Sequence, residues 1–206
     1  MIYKPMYVSN IGQLKMSLVA NTVCKNIKFH VKVKNKEQYI NFLKSDSSFI
    51  TKRTASFVVI RLPRTHCVYC CYYSGHVNVT GVPCLADIEK QLDRFCILLN
   101  LNRNDISQVI VDNITAVIHP ISSTRVNLFQ LINFIRSNNY DEVKGLKYNN
   151  QIFPGLFIKT LSGTIIWFNS NAISCVGSKC MQDVEELRNL IVRITSEYIS
   201  RNVSTE

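Results

Sequence analysis

The chain has 206 residues, 47% hydrophobic and 18% charged, with only 7 glycines and 5 prolines, so it can bury a core along its whole length and is no linker, collagen or disordered tail. Lys and Arg outnumber Asp and Glu by 24 to 14, and a formal charge of +10 points to a polyanionic partner. The excess is confined to one half: residues 1–103 carry 15 basic against 5 acidic side chains, residues 104–206 carry 9 against 9.

No apolar run reaches the roughly 18 residues of a membrane helix, and Met1-Ile2-Tyr3-Lys4-Pro5-Met6 lacks the apolar block of a signal peptide. The expectation is a soluble intracellular protein with no membrane partner, whose 8 cysteines are reduced. Residues 1–21 are read as an N-terminal extension. The first strand is expected over 26–33, where Ile27, Phe29, Val31 and Val33 alternate with Asn26, Lys28, His30 and Lys32. A short helix over 37–44 carries Tyr39, Ile40, Phe42 and Leu43. Three strands follow over 57–62, 67–73 and 76–80, rich in Val, Tyr and Cys and separated by turn signals at Pro63-Arg64-Thr65 and Ser74-Gly75. Ile88, Leu92, Phe95 and Leu99 then recur at helical spacing.

The second half repeats this order. A strand over 113–119 and a helix bearing Leu128, Leu131, Ile132 and Ile135 precede strands over 153–160, 164–169 and 172–176 and a helix marked by Val184, Leu187, Ile191 and Ile194. A gapless offset of 96 residues aligns Phe57 with Phe153, Tyr72 with Phe168, Gly81 with Gly177, Cys84 with Cys180 and Asp87 with Asp183. Two repeats, 22–103 and 104–200, and a tail over 201–206 are the expected organisation. The fold class is α+β: a curved antiparallel sheet of two pseudo-symmetric repeats, with helices on its convex face and the other face bare. Residue pattern alone gives four strands per repeat.

Two meander segments carry a family likeness. Gln151-Ile152-Phe153-Pro154-Gly155-Leu156-Phe157, with Trp167-Phe168-Asn169-Ser170-Asn171 and Val176-Gly177-Ser178-Lys179, resembles the second repeat of the TATA-box-binding protein core; Phe57, Tyr72-Tyr73-Ser74-Gly75-His76 and Val79-Thr80-Gly81 show the same pattern in the first, and Asn26-Ile27 and Asn113-Ile114 resemble its paired asparagines. The resemblance implies a ten-stranded saddle astride the DNA minor groove, an AT-rich promoter as ligand, and a general transcription factor or RNA polymerase-associated protein as partner. It implies that Phe57 with Tyr72, and Phe153 with Phe168, are wedges that enter base steps and bend the duplex. It also places Asn26, Asn113, Lys28, Thr115, Thr80, Val176, Ile166 and Pro154 on the minor groove, and Lys32, Arg61, Arg64, His76 and Lys179 on phosphates. Localisation to the nucleus is expected, or to a viral replication compartment for a divergent, virus-encoded member.

Departures from the pattern are informative. Lys28, Asn78 and Ser174 stand where small aliphatics are usual, His76 and Ala172 replace lysines, and Asn149-Asn150-Gln151 replaces an acidic stretch that docks a protein in the family. An altered base preference and a different partner surface are expected. Strand parity supports the bare face independently: if Tyr72 and Phe168 face outward, so do Val68, Cys70, Thr164 and Ile166, while Tyr69, Cys71, Ile165 and Trp167 point into the helices. Both faces are then apolar, as in a binding surface.

Taken singly, the four rings read as ordinary core aromatics; the repeat and the Phe-Pro-Gly context reverse that. Cys67 and Cys70 tempt a zinc reading, but on a strand they project to opposite faces. No metal or cofactor is expected, and without an acid cluster, a phosphate loop or a nucleophile motif no enzyme is expected. A saddle that binds protein rather than specific DNA is the alternative.

Overall fold

The structure, a computed structural model, describes residues 21–119 and 126–203. The extension expected over 1–21 lies almost wholly outside the described residues; of the tail expected over 201–206, residues 201–203 end the last helix and 204–206 lie outside them. Each half runs strand, helix, four strands, helix. The first comprises β1 (Asn21–Lys32), α1 (Lys36–Lys44), β2 (Ile50–Arg53), β3 (Phe57–Arg61), β4 (Val68–Tyr72), β5 (His76–Val82) and α2 (Asp87–Leu99). The second comprises β6 (Ile110–His119), α3 (Leu128–Asn138), β7 (Gly145–Asn149), β8 (Phe153–Lys159), β9 (Thr164–Phe168), β10 (Ile173–Ser178) and α4 (Met181–Val203).

The ten strands form one open antiparallel sheet in the order β2-β3-β4-β5-β1-β6-β10-β9-β8-β7, in which the second half mirrors the first about the β1–β6 pair. Ile27 pairs with Ile114, flanked by Asn26 with Thr115 and Lys28 with Asn113, so the pseudo-twofold passes between the two isoleucines. Each central strand carries one extra residue just before its asparagine: Lys25 in β1 and Asp112 in β6. Such bulges sharpen the local twist and re-aim the side chains beside them.

Alternation along the strands sorts the two faces. Val58, Ile60, Tyr69, Val77, Ile165, Trp167 and Cys175 are buried against the helices, and Tyr69 stacks on Phe95 of α2 with ring centroids 5.2 Å apart. Val59, Cys70, Tyr72, Asn78, Thr164, Ile166 and Ser174, which alternate with them, are only half-buried, because among the described residues no helix lies over their side of the sheet. At roughly 25 cal/mol per Å2 of apolar surface, burial of the helix side is the main stabilising contribution.

β2 and β7 correct the residue-pattern reading of four strands per repeat, and with them the sheet reaches the ten strands that the resemblance implies. They are edge strands. β2 is half-buried only at Ile50 and exposed over its other three residues, so an edge paired on one side alone leaves no alternating apolar trace.

The offset of 96 also needs correction. Val68 pairs with Arg61 in the first half, whereas its counterpart Thr164 pairs with Lys159, two residues further along by that offset. The β8–β9 connection is tighter and β8 correspondingly longer. In space, therefore, Lys159 stands where Arg61 does, Phe157 where Val59 does, and Gly155 where Phe57 does.

Candidate nucleic-acid interface

Rings sit toward both ends of the uncovered face. Phe57 opens β3, Tyr72 closes β4, and the two are direct cross-strand partners with centroids 5.5 Å apart. Phe153 and Phe168 are 5.7 Å apart, but the slip makes this pair diagonal: Gly155 lies opposite Phe168, and Phe153 reaches back over the glycine. A Cβ at Gly155 would stand 2.7 Å from Phe153 and 2.8 Å from Ile166, so the absent side chain is what lets the ring lie there. Phe157 makes a third ring, 5.0 Å from Phe153. Sequence reasoning leaves Phe157 without a role; its position four residues from Phe153, on the same strand face, is the signal that could find it.

The centre of the face is polar and built twice. Asn26 Oδ1 accepts the Gly81 backbone N–H at 2.6 Å and the Thr80 hydroxyl at 3.2 Å. Asn113 Oδ1 accepts the Gly177 N–H at 2.5 Å, while its Nδ2 donates to the Thr115 hydroxyl at 3.1 Å. Val176 in place of the second Thr-Gly threonine offers no hydroxyl to Oδ1, and the Nδ2 bond arises because Thr115 stands where the first half has Lys28. Ile166 lies between Phe157 and Ser174 in the outer row. Pro154 is exposed at the rim and alternates out of the row formed by Gly155 and Phe157.

The cations lie around this floor. Lys28 and Lys32 follow Asn26 on the same side of β1, Lys32 pairs with His76 across the ladder, and Arg61 ends β3 at an exposed position. Arg64 occupies the β3–β4 connection with φ 57. Lys179 follows β10, and its backbone N–H donates to Asp183 Oδ2 at 2.7 Å, a bond that holds the Asp183 carboxyl below its ordinary range and ties the incoming chain to the first turn of α4. Lys159, which sequence reasoning misses, is the second half's spatial match to Arg61.

One acid intrudes on this face. Asp112 Oδ1 takes a hydrogen bond from His30 Nδ1 at 2.8 Å, and Oδ2 lies 4.0 Å from Lys28 Nζ. The pair spans 82 residues of sequence, and no local pattern marks it.

Among the described residues, no three His, Cys, Asp or Glu side chains cluster to hold a metal ion. Cys67 is buried and Cys70 half-exposed on opposite sides of the sheet. Burial raises the thiol of Cys67 and pushes that of Cys175 up to about 12, so these behave as small hydrophobes.

No protein-family model and no curated protein matches the chain. Among solved structures, it is similar to the TBP of Methanococcus jannaschii, with a TM-score of 0.61 and 17% identity over 86% of this chain and 98% of that one. At that identity the likeness shows the fold. The chain has the α+β saddle of the TATA-box-binding protein, an antiparallel sheet with helices on its convex side, and the uncovered surface is its concave side.

Proposed function

We propose that the chain binds double-stranded DNA in the minor groove through the concave face and bends it, nucleating transcription initiation at AT-rich promoters as a TATA-box-binding-protein-like factor. The carrying observation is the pair of locked amides at the centre of a half-apolar sheet face with rings toward both ends. Minor-groove edges of A·T pairs offer only acceptors, and a fixed amide donor matches them. Flat rings replace the stacking lost where a base step opens, at a cost of about a few kcal/mol per step. Exposed Lys32, Arg61, Arg64, His76 and Lys179 supply sequence-independent attraction to phosphates. A general transcription factor or polymerase-associated protein completes the assembly, in the nucleus or, for a virus-encoded protein, in a viral replication compartment.

The test is energy transfer between dyes on the two ends of an AT-rich duplex. Replacing Phe153 and Phe168 together with Ala should remove the bend while leaving much of the salt-dependent binding; a full bend retained by that variant rejects the wedges. A second reading, a saddle that binds protein, is favoured by Asp112 on the concave face. Gel shifts with AT-rich and GC-rich duplexes at two salt concentrations separate the two, and absence of binding at low salt selects the protein-binding saddle.

A further inference from the structure

Among the described residues, Asp112 is the only acidic residue carried by any of the ten strands. It is the bulge residue of β6, lying between Asn113, opposite Lys28, and Val111, opposite Phe29. Lys28 and His30 alternate with the fully buried Ile27, Phe29 and Val31, so both stand on the concave side, and the carboxylate that meets them stands there too. A carboxylate only accepts, so the His30 ring nitrogen carries the proton of their 2.8 Å bond. The residue at the pseudo-symmetric bulge is Lys25, which is exposed. One side of the two-fold thus offers an exposed cation where the other offers an anion already held by a lysine and a histidine.

To Lys28 and His30, carboxylate and phosphate oxygens are the same kind of partner, an anionic acceptor, met by His30 as a hydrogen bond and by Lys28 as an ion pair at 4.0 Å. We propose that Asp112 is an internal phosphate mimic that occupies Lys28 and His30 and competes with the DNA backbone for them. Binding then requires an exchange of partners at this point, and the first half grips a polyanion less tightly than its charge excess allows. The exchange is feasible because the contacts are half-exposed, and such pairs hold weakly. This inference rests on the DNA-binding reading.

The test measures affinity for an AT-rich duplex against salt concentration, with heparin as a second polyanion that has no groove. Asp112→Asn should tighten duplex binding about five- to tenfold and steepen the log–log salt slope by about one to two, since each further phosphate neutralised adds about 0.9 to that slope. Asp141→Asn, with the same change in net charge beside α4 on the helix side, should shift both much less, and adding Lys28→Gln to Asp112→Asn should remove most of the effect. Asp112→Ser, which lacks an amide that could rebond His30, should behave as Asp112→Asn does. A variant that melts normally yet keeps the wild-type slope on both polyanions overturns the mimic. If wild type binds no duplex at low salt while Asp112→Asn still steepens the heparin slope, the DNA-binding reading fails and the competition stands.

Discussion

The side-chain oxygen of Asn26 accepts the backbone N–H of Gly81 at 2.6 Å, and across the two-fold Asn113 holds Gly177 in the same way at 2.5 Å. A backbone N–H only donates, so each bond fixes which end of the amide is the oxygen and turns Nδ2 the other way. Both glycines have φ 89, a left-handed backbone in which other residues are strained. Two such turns thus aim two amide donors, one on each side of the β1–β6 centre.

Asn113→Asp keeps the acceptor for Gly177 but exchanges the donor for a carboxylate oxygen. Its melting temperature should stay close to wild type. Affinity for an AT-rich duplex should fall by about 1–3 kcal/mol, the worth of a good groove contact, with the loss read in gel shifts at fixed salt. An affinity equal to wild type would place Asn113 off the groove.

Gly155→Ala tests the slipped hairpin. The new methyl group would meet Phe153 at 2.7 Å and Ile166 at 2.8 Å, so the Phe153 ring must lift or turn. Overpacking of this kind costs about 1–3 kcal/mol. The expected outcome is a lower melting temperature and a smaller bend by energy transfer. A comparable enlargement in the first half, Val59→Ile at the position matched by Phe157, should leave the bend alone.

What was legible in the sequence followed from burial. β4 and β9 bury one face completely, and β5 and β10 do so up to Gly81 and Gly177 near their ends, so alternation and the offset of 96 locate them, and parity assigns Tyr69 and Trp167 to the helix side. β2 and β7 were not legible because edge strands bury little. The slip between β3 and β8 was hidden because the shorter β8–β9 connection and the longer β8 compensate, so that Phe57 still aligns with Phe153 although Gly155 occupies its place. The His30–Asp112 contact was beyond reach for another reason: a bulge breaks strand parity, and the partners come from opposite halves.

Gly81 and Gly177 share φ 89 but not their surroundings. A Cβ at Gly81 would lie 2.3 Å from the His66 carbonyl oxygen, whereas at Gly177 the nearest heavy atom is Gly163 Cα at 3.8 Å. Gly177→Ala should therefore cost only the left-handed strain, about 1–2 kcal/mol, while Gly81→Ala adds a backbone clash that cannot rotate away. Denaturant midpoints should rank wild type above Gly177→Ala and Gly177→Ala well above Gly81→Ala. Equal midpoints for the two variants would contradict the packing at His66.

Tyr39 of α1 reaches under the first ring pair. Its side chain is fully buried, and its hydroxyl donates to the Tyr72 carbonyl at 2.9 Å, tying the end of β4 to the helix layer. Burial raises its ionisation far above the ordinary range, so it remains a neutral donor throughout the pH range in which the protein is handled. Among the described residues, α3 buries only Leu128, Leu131, Ile132 and Ile135, aliphatic side chains that carry no hydroxyl to donate in this way. Tyr39→Phe leaves the Tyr72 carbonyl without this partner at a cost of about 1 kcal/mol, read as a lower denaturant midpoint. If the tether holds the Tyr72 ring for insertion, a dye pair placed on the half-site under the first repeat should report a shallower kink, while a pair under the second repeat reports no change. An equal loss at both ends would assign Tyr39 to general stability alone.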